Sequence, residues 1–233
     1  VSTVFSDVTA DKLPVADKKE TAEISTRFGE KTYRISMQRV SLGEVVAKSE
    51  FLENSNRNAS LIAMYLYDDT ELKSYIKKNE DNKLVVALAY LDNYEEALES
   101  VEDVRRSLLI ALIDRKITKY FSNFDGLVKK LEKDKYFLIM RQSSLEALKE
   151  QRFHILDEVK TVNIGNEMAI TLSIGVGLNA STYIQNYEYS RIAIEMALGR
   201  GGDQVVIKNG NNITYYGGKT QQMEKNTRVK TRV

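Results

Sequence analysis

The sequence contains no cysteine, which excludes disulfides, thiolate nucleophiles and zinc–thiolate sites and is compatible with a reducing compartment. It has one histidine, His154, too few for a multi-histidine metal centre. With one proline and 12 glycines it carries no low-complexity tract. No apolar run approaches the roughly 20 residues that span a bilayer, so these residues are expected to lie outside any membrane. Neither sign of charge dominates. A net charge of +1 argues against nucleic-acid binding, and the basic ending, Lys225, Arg228, Lys230 and Arg232, reads as a solvated terminus or junction. The chain opens on Val1 without a targeting pattern, as an excerpt of a longer protein would. What is present, 42% hydrophobic and 29% charged residues, is the composition of a soluble intracellular α/β protein with a sizeable core in one large domain or two small ones.

The stretch from Met168 to Lys208 organises the rest. Ala169 to Val176 is apolar and β-branched and gives way to glycine, which predicts a buried central strand. Asn179, Ser181 and Thr182 offer N-cap oxygens to a helix with an apolar face of Tyr187, Ile192, Ile194, Met196, Ala197 and Leu198, stopped by Gly199, Gly201 and Gly202. Val205 to Ile207 resume an extended run. Upstream, Leu84 to Leu91 predicts a second buried strand, and Tyr94 to Phe121 one long helix. Phe124 to Lys130 and Tyr136 to Met140 read as a hairpin joined by Leu131 to Lys135, with helices at Ser144 to Arg152 and His154 to Val162. The order β, α, β, β, α, β with a trailing hairpin is an α+β plan, a ferredoxin-like or nucleotide-cyclase-like mixed sheet with helices on one face.

Residues 1–67 form a different piece. A hairpin of Glu23 to Phe28 and Thr32 to Val40 turns at Gly29 and Glu30, and Leu61 to Tyr67 adds a third strand. The polar connection from Ser41 to Asn58 reads as a loop with a helical turn. Three antiparallel strands are too few to enclose a core unaided. Asp68, Asp69 and Thr70 cap a short helix through Leu72, Tyr75 and Ile76, and this charged segment, 68–82, is the expected boundary.

A family resemblance rests on Leu91-Asp92-Asn93-Tyr94-Glu95-Glu96, on Phe153 to Val159, on TLSIGVG at 171–177, on ALGRGGDQVVIK at 197–208 and on the ending YYGGKTQQMEKNTRVKTRV. From Leu84 to Val233 the chain resembles GdpP (YybT-type) cyclic-di-AMP phosphodiesterases. The resemblance implies two membrane helices outside this chain, a PAS sensor, a degenerate GGDEF domain and a C-terminal DHH/DHHA1 phosphodiesterase that uses Mn2+. Residues 1–67 would then be the C-terminal part of the PAS domain, 83–218 the GGDEF domain and 219–233 a junction. It also implies a homodimer at a bacterial membrane, with a nucleotide, a small molecule or haem as the sensed ligand.

By the same resemblance the signature of active cyclases falls on Glu132-Lys133-Asp134-Lys135-Tyr136. Diguanylate cyclases resembling this chain need two glycines there for phosphate approach, then carboxylates for divalent metals. Here Glu132 and Lys133 replace the glycines, Lys135 replaces the acid, and Tyr90 stands where those cyclases carry a metal-binding acid on the first strand. Asp92 and Asp134 remain, so cyclic-di-GMP synthesis is not expected. Lys129, Lys130, Lys133 and Lys135 can hold phosphates as point charges or simply keep an exposed hairpin soluble.

Other signals are weaker. Arg200-Gly201-Gly202-Asp203 follows a helix and reads as its C-cap and turn. Gly175 to Ala180 matches GxGxxA, yet no repeated parallel βαβ units follow, and a packed strand exit is the simpler reading. His154 opens an apolar helix as a core or capping residue, and Tyr33, Met37, Met64 and Tyr65 line a ligand cavity or are core. Two functions stay open: a regulatory module of an attached phosphodiesterase, or a slow nucleoside triphosphatase using Asp92, Asp134, the hairpin lysines and Mg2+ with ATP. The first is favoured. DHH chemistry, by resemblance, needs clustered Asp and His around two metals, which one histidine cannot supply.

Overall fold

The computed structural model describes residues 5–14, 21–41 and 60–217. The expected junction at 219–233, and the Ser41 to Asn58 connection past Ser41, lie outside them. Contacts divide the chain into two units at Asn79/Glu80.

In the first unit, β1 (Thr21–Phe28), β2 (Lys31–Ser41) and β3 (Ser60–Asp68) form an antiparallel sheet in that order. Gly29, at φ +59°, lets Phe28 pair directly with Lys31 across the turn. Alternation places Ile35 and Met37 on the buried face with Phe5 and Val8, and Tyr33 and Met64 pack beside them. Tyr65, half exposed, is on the other face, so the aromatic and methionine positions do not converge on one cavity. Helix α1 (Thr70–Asn82) follows, and its start is tied to the sheet: Thr32 N–H donates to Thr70 Oγ1 at 2.9 Å and Arg34 Nε sits 3.0 Å from Asp69. It buries none of its residues.

The second unit is a six-stranded mixed sheet of order β5-β6-β4-β7-β8-β9. Its elements are β4 (Leu84–Leu91), α2 (Tyr94–Glu99), α3 (Asp103–Ser122), β5 (Leu127–Lys130), β6 (Lys135–Arg141), α4 (Gln142–Glu150), α5 (Ile155–Lys160), β7 (Leu172–Leu178), α6 (Tyr183–Gly199), β8 (Gln204–Asn209) and β9 (Asn212–Gly217). As the apolar runs predict, β4 and β7 are interior. They pair antiparallel, while β7 and β8 pair parallel.

Alternation sorts the sheet into two faces. Val85, Ala87, Ala89 and Leu91 of β4 join Leu109, Ile113, Ile117 and Phe121 of α3 and the buried residues of α4 and α5. On the opposite face Ala193 and Ala197 of α6 meet Val206. Helices therefore cover both faces, not one. The reason is in β7, where Gly175 and Gly177 present no side chain to α6: a Cβ on Gly177 would lie 1.9 Å from the Asn186 carbonyl oxygen, and one on Gly175 2.2 Å from the Ile194 nitrogen. The GxGxxA pattern is thus a helix-packing device.

Three boundaries differ from expectation. The single helix from Tyr94 to Phe121 is two, because Ser100 Oγ turns back to the Ala97 carbonyl at 2.8 Å and Arg106 Nε donates to the Leu98 and Val101 carbonyls at 2.9 and 3.0 Å. Phe124 to Gly126 form the exit of α3 instead of a strand start, with Asp125 at φ +54° and Gly126 N–H bonded to Phe121 O at 2.9 Å. Ala169 to Thr171 precede β7, held by the Asn93 side chain, which donates to Ala169 O at 2.7 Å and accepts from Thr171 N–H at 3.0 Å.

Candidate functional site

Where β4 ends, a cleft of about 610 Å3 opens between the start of α2 and the β5–β6 turn, lined by Asp92, Glu95, Glu96, Glu132, Lys133 and Asp134 among others. Asp92 and Asp134 do share it. Their states differ. Asp92 Oδ2 accepts the Asp203 N–H at 3.0 Å, and Gly202, at φ +73°, is close enough that a Cβ there would lie 2.7 Å from the Asp92 carboxylate carbon. Asp203 in turn reaches Lys160 Nζ of α5 at 2.6 Å. Gly201 and Gly202 donate to Leu198 O and Ala197 O at 2.9 and 3.0 Å, as a helix C-cap should. The Gly-Gly-Asp turn is therefore structural, and it clamps Asp92. Asp134 belongs to the turn itself: its carbonyl accepts from Leu91 N–H at 2.9 Å, and its carboxylate has no hydrogen bond among the described residues.

The four lysines separate. Lys130 is committed to Asp114, with both carboxylate oxygens at 2.8 and 2.9 Å, and lies 5.5 Å from the centre of the Tyr136 ring. Lys135 pairs with Glu132 at 2.7 Å and stands over Tyr90 at 5.6 Å, the carboxylate raising its pKa. Lys129 pairs in register with Phe137, whereas Val128 packs into the main core, so Lys129 is on the other face of the sheet from the Lys130–Asp114 pair. Lys133 alone among them lines the cleft of the two aspartates, and no ion pair holds it among the described residues.

Tyr136 is wholly buried and donates its hydroxyl to Asp114; burial first, then that carboxylate, pushes its pKa far up. Its partner Asp114, on α3, escaped sequence reasoning, as did Lys160 and the bond of Asp203 to Asp92, because each partner sits far in sequence from the motif it supports. Tyr90 alternates onto the α6 side with Val86 and Leu88 and cannot act as a metal-binding acid. Its hydroxyl pKa is raised chiefly by burial. His154 occupies the N-cap position of α5, but its side chain is 63% accessible and makes no capping hydrogen bond, so it is neither a core residue nor a side-chain cap.

Among the described residues no three metal-ligating side chains come together. Mg2+ can be held by one or two carboxylates plus substrate phosphates, and of the two aspartates Asp134 is the one whose carboxylate makes no hydrogen bond among the described residues. Five carboxylates around one lysine repel a bare polyphosphate, so entry would need such a cation.

The interior antiparallel β4–β6 pair, the parallel β7–β8 pair and the tight β5–β6 turn at the end of β4 define a cyclase-like domain of the GGDEF type. A family model described as "Cyclic-di-AMP phosphodiesterase GdpP-like, GGDEF domain" matches residues 89–215, and the chain belongs to that family. It is 39% identical over 171 residues to the cyclic-di-AMP phosphodiesterase PdeA of Listeria monocytogenes, covering 73% of this chain and 26% of that protein. To the cyclic-di-AMP phosphodiesterase GdpP of Bacillus subtilis it is 31% identical, over 90% of this chain and 33% of that one. The chain thus spans about a quarter to a third of these relatives' length. A "membrane protein-large ribosomal subunit bL9 fusion protein" of Onion yellows phytoplasma is 29% identical over 74% of this chain and 20% of that protein. Among solved structures, the active GGEEF domain of a diguanylate cyclase from Vibrio cholerae is similar with a TM-score of 0.47 and 12% identity, over 59% of this chain and 90% of that one. No helix of the described residues is long and apolar enough to cross a membrane.

Proposed function

We propose that this chain is the regulatory region of a cyclic-di-AMP phosphodiesterase, with residues 1–67 a part of a PAS-type sensor and the GGDEF-type unit a controller that makes no cyclic-di-GMP. The catalytic DHH domain, its Mn2+ and the membrane helices belong to the length of the relatives that this chain does not span. One observation carries the reading: the position of the missing first-strand acid, Tyr90, faces α6, and the remaining aspartate of that strand end, Asp92, is held by the Gly-Gly-Asp turn. The first strand itself, Leu84–Leu91, carries no acid. The test is incubation of the chain with GTP and Mg2+ or Mn2+, which should yield no cyclic-di-GMP; detectable product overturns the reading.

A second reading is favoured by Lys133 and Asp134, a lysine and a carboxylate without ion-pair partners at one cleft. They suit weak binding of ATP with Mg2+, with Lys133 on a phosphate and Asp134 toward the cation. Lys133→Ala should weaken ATP–Mg2+ binding about tenfold in isothermal titration, and Lys129→Ala should leave it unchanged. Equal effects from both lysines would remove the cleft from consideration. For haem in the sensor piece the residues do not fit a histidine or thiolate ligand: the chain has no cysteine, and its one histidine lies in the second unit.

A further inference from the structure

The turn between α6 and β8 is held in a conformation that works against itself. Gly201, Gly202 and Asp203 have φ of +98°, +73° and +55° in succession, and Asp203 carries a side chain in that left-handed region. It is fixed there from two sides: its N–H donates to Asp92 Oδ2 at 3.0 Å and its carboxylate meets Lys160 Nζ of α5 at 2.6 Å. The other oxygens, Oδ1 of Asp92 and Oδ1 of Asp203, are buried without a hydrogen-bond partner among the described residues. Left-handed backbone and unpaired buried carboxylate oxygens both weaken the clamped arrangement. The same turn also touches the last strand. A Cβ on Gly217, the final residue of β9, would lie 2.7 Å from Leu156 Cδ1 of α5 and 3.2 Å from the Asp203 carbonyl oxygen, and Gly217 pairs in register with Gln204. Asp92 therefore belongs to the wall of the cleft on one side and, through Asp203, to the end of β9 on the other.

We propose that Asp92 is a switch: its carboxylate either clamps the Gly-Gly-Asp turn or joins Asp134 at a divalent cation carried into the cleft on a polyphosphate, and the exchange loosens the end of β9. The proposal rests on the second reading above, the binding of ATP with Mg2+. The two states exclude one another for a geometric reason. Oδ2 is taken by the Asp203 N–H and Oδ1 is buried, so Asp92 meets a cation only by turning its carboxylate out into the cleft and giving up that N–H. Charge drives the exchange. Asp134 alone offers a cation one carboxylate, whereas Mg2+ accepts one or two beside phosphate oxygens. The loss is one charge-assisted hydrogen bond, partly offset by relief of the left-handed backbone at Asp203. A ligand shifts such an equilibrium by its differential affinity for the two states, and the difference here is the Asp92 contact. The effect reaches β9 because the parts between are closely fitted: Gly217 has no side chain to yield against the Asp203 carbonyl or Leu156, and Leu156 shares α5 with the Lys160 that holds Asp203. Residues 218–233 follow Gly217 directly in the sequence, which makes the end of β9 the outlet of a regulatory unit.

Amide hydrogen exchange of the 233-residue chain, read residue by residue by NMR, tests this, with isothermal titration as the separate measure of binding. In the wild-type chain, saturating ATP–Mg2+ should speed exchange at Asp203 and at 215–217 by about fivefold or more and leave the far end of the same hairpin, 209–212, within about 1.5-fold. Asp92→Ala should show the faster exchange without ligand and no further change with it. Asp92→Asn keeps an oxygen for the Asp203 N–H but offers a cation no charge, so it should bind ATP–Mg2+ more weakly by titration and show no acceleration once saturated. Unchanged exchange at 209–212 shows that both variants fold. Acceleration confined to Asp203 in Asp92→Ala, or a saturated Asp92→Asn that responds as the wild type does, overturns the proposal and leaves ATP–Mg2+ binding standing. An absence of binding by titration removes the second reading itself and overturns the switch with it, since no trigger is left, whatever Asp92→Ala does to the strand.

Discussion

Gly202 has two reasons to be glycine, and they separate experimentally from the one that holds at Gly201. Both residues have positive φ, +73° and +98°, but only at Gly202 would a Cβ meet another group, the Asp92 carboxylate at 2.7 Å. Gly201→Ala should therefore cost only backbone strain, about 1 kcal/mol, and Gly202→Ala about 2–3 kcal/mol by urea unfolding, since it also breaks the Asp92 clamp. Equal losses would mean that Asp92 contributes nothing to the turn. In the first unit Asp68 offers a pH test. The Thr70 hydroxyl, then Lys31, hold its pKa at about 2 instead of 3.8. A carboxyl depressed on folding stabilises the fold fully above its unfolded pKa, and that contribution disappears as pH falls through the folded value. The wild-type chain should accordingly lose helical signal from α1 between about pH 4 and pH 2, and Asp68→Asn should be flatter over that window. An identical acid titration of the two chains would count against the Asp68–Thr70 cap.

At the scale of elements, β7 and α6 depend on one another through absent side chains. Either glycine of β7 replaced by alanine would drive a methyl group into the α6 backbone, with no flexible side chain to yield. Gly177→Ala should destabilise the second unit by roughly 4 kcal/mol or more, seen as a collapse of its melting transition, whereas Gly29→Ala, in open space, should cost only the strain of its turn. The same pair marks how far the elements could be read in advance. Run length and apolar pattern were enough to place β4, β6, β7 and α6: burial on both faces of β4 and β7 leaves a continuous hydrophobic signal, and β6 alternates buried with half-buried residues. Local polar bonds left no such trace. The split between α2 and α3 is made by Ser100 and Arg106 reaching carbonyls, and the late start of β7 by Asn93 reaching across 78 positions, and neither alters hydrophobic period. The site was approached through the family resemblance and not through hydrophobic pattern: it put the degenerate signature on Glu132 to Tyr136, while which lysines there carry an ion pair was decided by Asp114 and Glu132, one of them on another element.

For the whole molecule, α1 is the element to perturb, because it follows the last strand of the first unit, runs across the division at Asn79/Glu80 and buries none of its residues. Leu72, Tyr75 and Ile76 are each more than half exposed, and no residue of the helix is buried. A helix of 13 residues with no packed face is marginal in water, so its stability comes from its anchored first turn at Thr70 and Asp69. Such a helix can change its packing for a few kcal/mol, within reach of the differential binding energy of one ligand. If it relays a signal, its rotational phase matters more than its length. Inserting two residues after Lys73 turns everything downstream by about 200° and adds only about 3 Å. If the chain is the regulatory region proposed above, then in the full-length protein this insertion should abolish control of hydrolysis by the sensed ligand and leave the basal rate within about twofold, measured as cyclic-di-AMP turnover with and without ligand. Inserting seven residues, close to two full turns, should restore part of the control because the phase returns to within about 20°. Ligand control that survives the two-residue insertion would make α1 a passive spacer, and control lost equally with both insertions would make length, not phase, the quantity that it transmits.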